Sequence, residues 1–209
     1  MSMDSLLYTG GMSEKQKALY AWSQNVPKLH PILAPDYHRL QIEKWIWERR
    51  EALGYLVMDV GQELTPRRWF GDGYFTFGLN DCDVIGDISS IPLEDDSLDG
   101  MIVTEVLEHC EEPFRSIAEI RRVLRPGGLL LITSPFIWSW HGRGHYKDFW
   151  RFTHQGWELL LKNFSDVKIE PCEWTEEGSV LWDLLRRFEC FGYKSVTDAA
   201  TGYLCEARK

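Results

Sequence analysis

The feature that most constrains this chain is a succession of short apolar runs, each separated from the next by a turn or a stretch with helical spacing. Tyr55-Leu-Val-Met-Asp-Val60, Tyr74-Phe-Thr-Phe-Gly-Leu79, Asp83-Val-Ile85, Leu98-Asp-Gly-Met-Ile-Val-Thr104 and Leu129-Leu-Leu-Ile-Thr133 have the length and near-continuous apolar character of strands buried on both faces. Thr65-Pro66 supplies an N-cap and a first-turn proline for a short helix. Pro113 to Leu124 is amphipathic, with Phe114, Ile117, Ile120 and Leu124 on one stripe, and Pro126-Gly127-Gly128 predicts a sharp end to it. Trp157, Leu160, Leu161 and Phe164 mark a further helix, and Val167-Lys-Ile169 a strand. Val180, Leu181, Leu184, Leu185 and Phe188 mark another helix, and Tyr203-Leu-Cys-Glu-Ala207 a last strand, expected at an edge. Alternating strands and helices imply βαβ units, a parallel sheet and right-handed crossovers. Ligands of such sheets bind outside the carboxyl ends of the strands.

Ahead of the first strand, residues 1–12 read as a loose arm and Ser13 to about Gln24 as a helix containing Leu19, Tyr20 and Trp22. Asp36 can cap a second helix running to about Leu53, with Gly54 as its stop. The expected organisation is an N-terminal arm with lid-like helices over 1–54, packed on one domain over 55–209 that carries an inserted helix near 179–191.

A chain of 209 residues suffices for one sizeable core. The net charge of −9 weighs against a nucleic-acid backbone as the main partner, because phosphate neutralisation needs a basic surface. Arg49-Arg50, Arg67-Arg68 and Arg186-Arg187 are only short basic pairs. No apolar run reaches the roughly 18–20 residues of a membrane span, and the first residues lack the pattern of a secretory signal. The expectation is a cytoplasmic protein with no membrane partner. Five scattered cysteines without a C-x-x-C pair predict reduced thiols and no metal-ligand spacing.

The strand ends offer a row of polar groups: Asp59-Val-Gly61, then Gly78-Leu-Asn80-Asp81, Gly86-Asp87-Ile88, and Thr104-Glu105. Acceptors in such a row suit a ligand rich in hydroxyl and amino donors, such as a nucleoside. The stretch Gly86-Asp-Ile-Ser-Ser-Ile-Pro-Leu-Glu-Asp-Asp-Ser-Leu-Asp99, then Thr104-Glu-Val-Leu-Glu-His109 and Val123-Leu-Arg-Pro-Gly-Gly-Leu129, resembles the type 11 group of class I S-adenosylmethionine-dependent methyltransferases. His145-Tyr-Lys-Asp-Phe-Trp-Arg-Phe-Thr153, after Ser134-Pro-Phe136, is similar to the H-D-Y-W-R-F-T segment of one subset. The resemblance runs from about Leu56 to Phe164. It implies a Rossmann-like α/β fold: one domain with a seven-stranded, mostly parallel sheet flanked by helices, its last strand antiparallel.

The resemblance also implies roles. Asp59, Gly61 and Gln62 match the first strand end, beneath the methionine part of S-adenosylmethionine. Asn80 falls where the ribose hydroxyls are gripped. Asp87 matches the acceptor of the adenine amino group, with the Ile88 backbone beside the ring, and Glu105 begins the loop passing the methionyl end. Two departures stand out. The glycine-rich turn is reduced to Gly61-Gln62-Glu63-Leu64-Thr65, and Asn80 replaces a carboxylate, a neutral hydrogen bond ~1 kcal/mol weaker than a charged one. Glu63 argues against a dinucleotide, whose pyrophosphate needs bare backbone N–H groups at a helix N-terminus.

For the acceptor side, His145 is the favoured base for a hydroxyl, with Asp148 beside it in sequence, and Trp138, Trp140, His141 and Arg151 are candidates to line the pocket. Each has a plainer alternative. Asp87 could simply cap a turn, Asp59 a loop, and Asp148 could brace its own loop through Arg151. The expected activity is methyl transfer to an oxygen or nitrogen of a small-molecule or glycan-like acceptor. The runner-up is a non-catalytic module that binds a nucleoside or a protein. Oligomeric state is left open.

Overall fold

Seven strands form a single mixed sheet in the computed structural model, which describes residues 14–25, 37–61, 67–142, 144, 146–173 and 200–209. They are β1 (Val57–Val60), β2 (Tyr74–Gly78), β3 (Val84–Ile85), β4 (Leu98–Thr104), β5 (Leu124–Pro135), β6 (Ser165–Glu173) and β7 (Ala200–Arg208). Their spatial order is β3-β2-β1-β4-β5-β7-β6. The first five pair in parallel, and β7 runs antiparallel to both β5 and β6. This is the mostly parallel sheet with an antiparallel last strand that the sequence predicts.

The alternation of side chains along each strand divides the core into two layers. Met58, Val60, Met101, Val103, Leu130 and Ile132 face Ile117, Ile120 and Val123 of α3 (Pro113–Val123) and Trp157 of α4 (His154–Leu160). Val57, Ile102, Leu129, Leu131 and Leu204 face Ile42, Trp45 and Ile46 of α2 (Tyr37–Arg49). A short 3₁₀ turn, Arg50–Leu53, follows α2 and ends at Gly54, whose φ of 86° supplies the expected stop. At the end of α2, Arg49 donates to Glu206 of β7 at 2.9 Å and stacks over Trp45, tying the helix to the sheet. Leu19 of α1 (Glu14–Asn25) is buried, and α1 packs on α2.

Three expectations need correction. The last strand is interior rather than at an edge. Residues 200–205 are buried throughout, and a β-carbon on Gly202 would lie 2.6 Å from the Ser134 carbonyl oxygen, so β7 fits where a bulkier strand would not. The edge is β6, largely exposed and carrying Lys168 and Glu170, the charged character that protects an open edge. Phe114 is 56% exposed, because α3 turns Pro113, Ser116, Ile117, Ile120 and Val123 inward and leaves Phe114 off that stripe. The helix also ends at Val123, ahead of Pro126-Gly127-Gly128. That tripeptide instead lies within β5, where the pairing with β4 shifts register. The expected helix near 179–191 and the Thr65-Pro66 cap lie outside the described residues.

Among the described residues no helix is long and apolar enough to cross a membrane. Cys82, Cys110, Cys172 and Cys205 are free thiols.

Candidate active site at the carboxyl edge of the sheet

Gly61 follows β1 with φ at 101°, and a β-carbon there would sit 2.3 Å from the Thr104 carbonyl oxygen. Only glycine lets the turn after β1 pass so close to the end of β4. Asp59, one residue inside the strand, is fully buried and accepts the Tyr74 hydroxyl at 2.5 Å, joining β1 to β2. Asn80 is exposed just beyond β2, next to Asp81 at φ 49°. Gln62 lies outside the described residues.

Asp87 and Ile88 sit in a tight turn after β3. The Asp87 carboxylate accepts the Ser89 backbone N–H at 2.7 Å yet stays exposed, while Ile88 is buried beneath it. Arg122 of α3 holds the following loop in place. It donates to the carbonyls of Leu93 and Ile91, each at 2.8 Å, and pairs with Asp95 and Glu119. Glu119 in turn accepts the Ile91 N–H at 3.0 Å. Nothing in the local pattern singles out Arg122. Its role comes from contacts about thirty residues away in sequence.

Glu105 turns the chain out of β4 with φ at 53°. Its carboxylate accepts the Thr133 hydroxyl at 2.7 Å and lies 3.4 Å from His38 Nε2. His38, missed in the sequence, comes from α2, is buried, and stacks against Trp138 with ring centroids 5.4 Å apart. Burial opposes its charge, but hydrogen bonds with Cys172 and Glu105 favour it, and the balance lifts its pKa to about 10. His38 therefore carries a proton at neutral pH.

The loop after β5 is pinned to the 3₁₀ turn Leu107–His109. Phe149 and Trp150 donate their N–H groups to the Glu108 carbonyl, and the Trp150 indole donates to the Cys110 carbonyl at 2.8 Å. Within the loop, Asp148 accepts the His141 N–H at 2.9 Å and both ends of the Arg151 guanidinium. The bonds from Arg151 hold the Asp148 carboxyl far below the usual carboxylate range, against the opposing effect of burial. Trp138 and Trp140 are 42% and 74% exposed, with Tyr146, Phe149 and Trp150 also open to solvent, so the loop presents an aromatic wall. His145 lies outside the described residues.

Glu108 was not singled out in the sequence either. It is fully buried, and burial, with the Glu105 charge nearby, drives its pKa well above the ordinary carboxylate value. Its neighbours are His109 and His141.

The geometry, a mostly parallel sheet with a reversed last strand and polar groups strung along one rim, defines a Rossmann-like α/β protein. A family model described as a methyltransferase domain matches residues 67–132. A crystal structure of an S-adenosylmethionine-dependent methyltransferase from Archaeoglobus fulgidus superposes with a TM-score of 0.56 at 18% identity, over 82% of this chain and 94% of that one. A Burkholderia thailandensis 1,6-didemethyltoxoflavin-N1-methyltransferase gives 0.53 at 15% identity, over 83% and 79%. The malonyl-[acyl-carrier protein] O-methyltransferase of Methylococcus capsulatus is 41% identical over 124 residues, 54% of this chain and 45% of that protein. The matched stretch spans less than half the length of the curated relatives it resembles. Residues 67–132 are thus similar to methyltransferase domains, and the fold is the one seen in S-adenosylmethionine-dependent methyltransferase structures.

Proposed function

We propose that this protein transfers the methyl group of S-adenosylmethionine to an oxygen or nitrogen of a small-molecule or glycan-like acceptor. The observation that carries the reading is the row of acceptors along the sheet rim. Asn80, Asp87 and Glu105 follow the ends of β2, β3 and β4, on either side of β1, and the Asp87 carboxylate remains exposed after capping its own turn. This donor set fits a ligand with amino and hydroxyl hydrogens at one end and positive charge at the other. Asp87 takes the adenine amino group with Ile88 beside the ring, Asn80 takes the ribose hydroxyls, and Asp59, Gly61 and Gln62 shape the floor under the methionine part. Glu105 faces the methionyl end.

When bound, S-adenosylmethionine supplies a methyl carbon on a positive sulfonium, which leaves sulfur as an acceptor lone pair attacks in line. Holding the reactants in that geometry is worth roughly 7–11 kcal/mol, so the chain's task is chiefly positioning. Trp138, Trp140, His141 and Arg151 supply the acceptor wall, and the small-molecule acceptor in the name of the 1,6-didemethyltoxoflavin-N1-methyltransferase is in keeping with it. His145 removes the proton of a hydroxyl acceptor. Asp148 contributes by orienting His141 and Arg151, since its own carboxyl is too acidic to hold a proton.

Titration calorimetry tests the reading. S-adenosylmethionine and S-adenosylhomocysteine should both bind one to one, and Asp87→Ala should weaken both about tenfold, the loss expected for a hydrogen bond to a charged group. Absence of binding by either ligand would favour the non-catalytic module, which the glycine-poor turn and Asn80 motivate.

A further inference from the structure

Three hydrogen-bond acceptors converge where the turn after β4 meets the loop after β5. Glu108 Oε1 lies 3.6 Å from His109 Nε2 and 3.8 Å from His141 Nε2. The three ligand atoms all fall within 4.8 Å of one another. The Glu108 side chain is fully buried, and among the described residues neither carboxylate oxygen receives a hydrogen bond. A buried carboxylate left in that condition is costly unless something positive faces it.

The backs of both imidazoles are occupied. His109 Nδ1 is 2.5 Å from the Lys147 carbonyl oxygen. His141 Nδ1 is 3.2 Å from the Ser139 carbonyl oxygen and 3.4 Å from Asp148 Oδ2, with the Arg151 guanidinium also at 3.4 Å. The Lys147 carbonyl can only accept, so the His109 proton belongs on Nδ1 and its Nε2 lone pair is free for a ligand. His141 Nδ1 meets both an accepting carbonyl and the donating Arg151, which hold its ring in place with Nε2 toward Glu108. That is the arrangement in which outer partners orient metal-ligating histidines. The charges that act on Glu108 are Glu105 and Asp148, opposed by Arg151.

We propose that Glu108, His109 and His141 form a binding site for a divalent transition-metal ion, with Zn2+ as the best match. Two imidazoles and one carboxylate suit zinc and its neighbours, whereas calcium and magnesium take oxygen ligands. Donors around a tetrahedral zinc stand roughly 3.3 Å apart, as follows from bonds of about 2.0–2.1 Å. Small rotations of the rings close the difference. Three protein ligands leave at least one position for water or an oxygen of a bound molecule. The proposal stands independently of the methyl-transfer reading, because it concerns metal binding alone.

The test uses the full, tag-free chain stripped with a chelator and then titrated with Zn2+. Native mass spectrometry should show one ion per chain, and competition with a chromogenic chelator gives the affinity. His109→Ala and His141→Ala should each weaken binding at least about tenfold, and Glu108→Gln likewise. His154→Ala, outside the cluster, should leave it unchanged. Co2+ in place of Zn2+ should give visible absorption bands that vanish in the His141→Ala variant. If Glu108→Gln does not fold, the two histidine variants decide, since their side chains are only partly buried. Failure to bind Zn2+ stoichiometrically, or binding indifferent to both histidine substitutions, overturns the site.

Discussion

Asp99 shows how one side chain can set the start of the sheet. A single carboxylate oxygen accepts the N–H groups of Tyr55 and Leu56, at 2.8 and 2.9 Å, and Arg125 pairs with the other oxygen. The Leu56 N–H is the main reason its pKa lies below the ordinary value. Tyr55 and Arg125 add to the effect, and burial opposes it. A depressed pKa in the folded state stabilises the protein above the unfolded value near 4, and that contribution disappears as pH falls through the folded pKa. Asp99→Asn should therefore cost about 1–2 kcal/mol at neutral pH, as for a lost charged hydrogen bond. It should also flatten the decline in melting temperature below pH 4, measured by circular dichroism. The sequence marked Asp99 only as part of a motif. Its carboxylate works across more than forty residues, which no local pattern displays.

At the scale of elements, the strands were legible because central parallel strands are buried on both faces and so read as unbroken apolar runs. β1, β2, β4 and β5 all match such runs. The place of β7 was not legible, since a strand's neighbours are chosen by packing over long range rather than by its own composition. The phase of α3 was misread for a related reason. An apolar side chain at position 114 looks like core, but the small Ser116 is what fits beneath the sheet. The loop from Asp87 to Asp95 is likewise held from outside, by Arg122. Replacing that residue with methionine keeps its aliphatic stem but removes the guanidinium donors to Ile91, Leu93 and Asp95. Arg122→Met should speed amide hydrogen exchange in residues 87–97 and weaken S-adenosylmethionine binding several-fold. Exchange measured by mass spectrometry on the free protein separates the loop effect from the ligand effect.

For the whole molecule, the site is assembled from parts far apart in the chain. The motifs at Asp87, Glu105 and 145–153 could be read directly, because each is a short contiguous string. His38 could not, being a lone histidine in a helix 67 residues before its partner Glu105. It also touches Thr201 at the start of β7, on the same rim, with Nδ1 3.0 Å from that hydroxyl, so α2 is fastened to the rim by a charged contact. Its folded pKa of about 10 lies above the ordinary histidine value of 6.5, so the stabilisation is complete below 6.5 and is lost as pH rises toward 10. Melting temperature should fall over that interval, and His38→Gln should remove most of the slope.

Because β7 fills a slot between strands made earlier, synthesis on the ribosome leaves β5 and β6 waiting with bare facing edges. Such edges recruit foreign strands, so the nascent chain is a natural client for chaperones until residues 200–208 emerge. The sheet is sealed only when residues 200–208 join strands that were made before them.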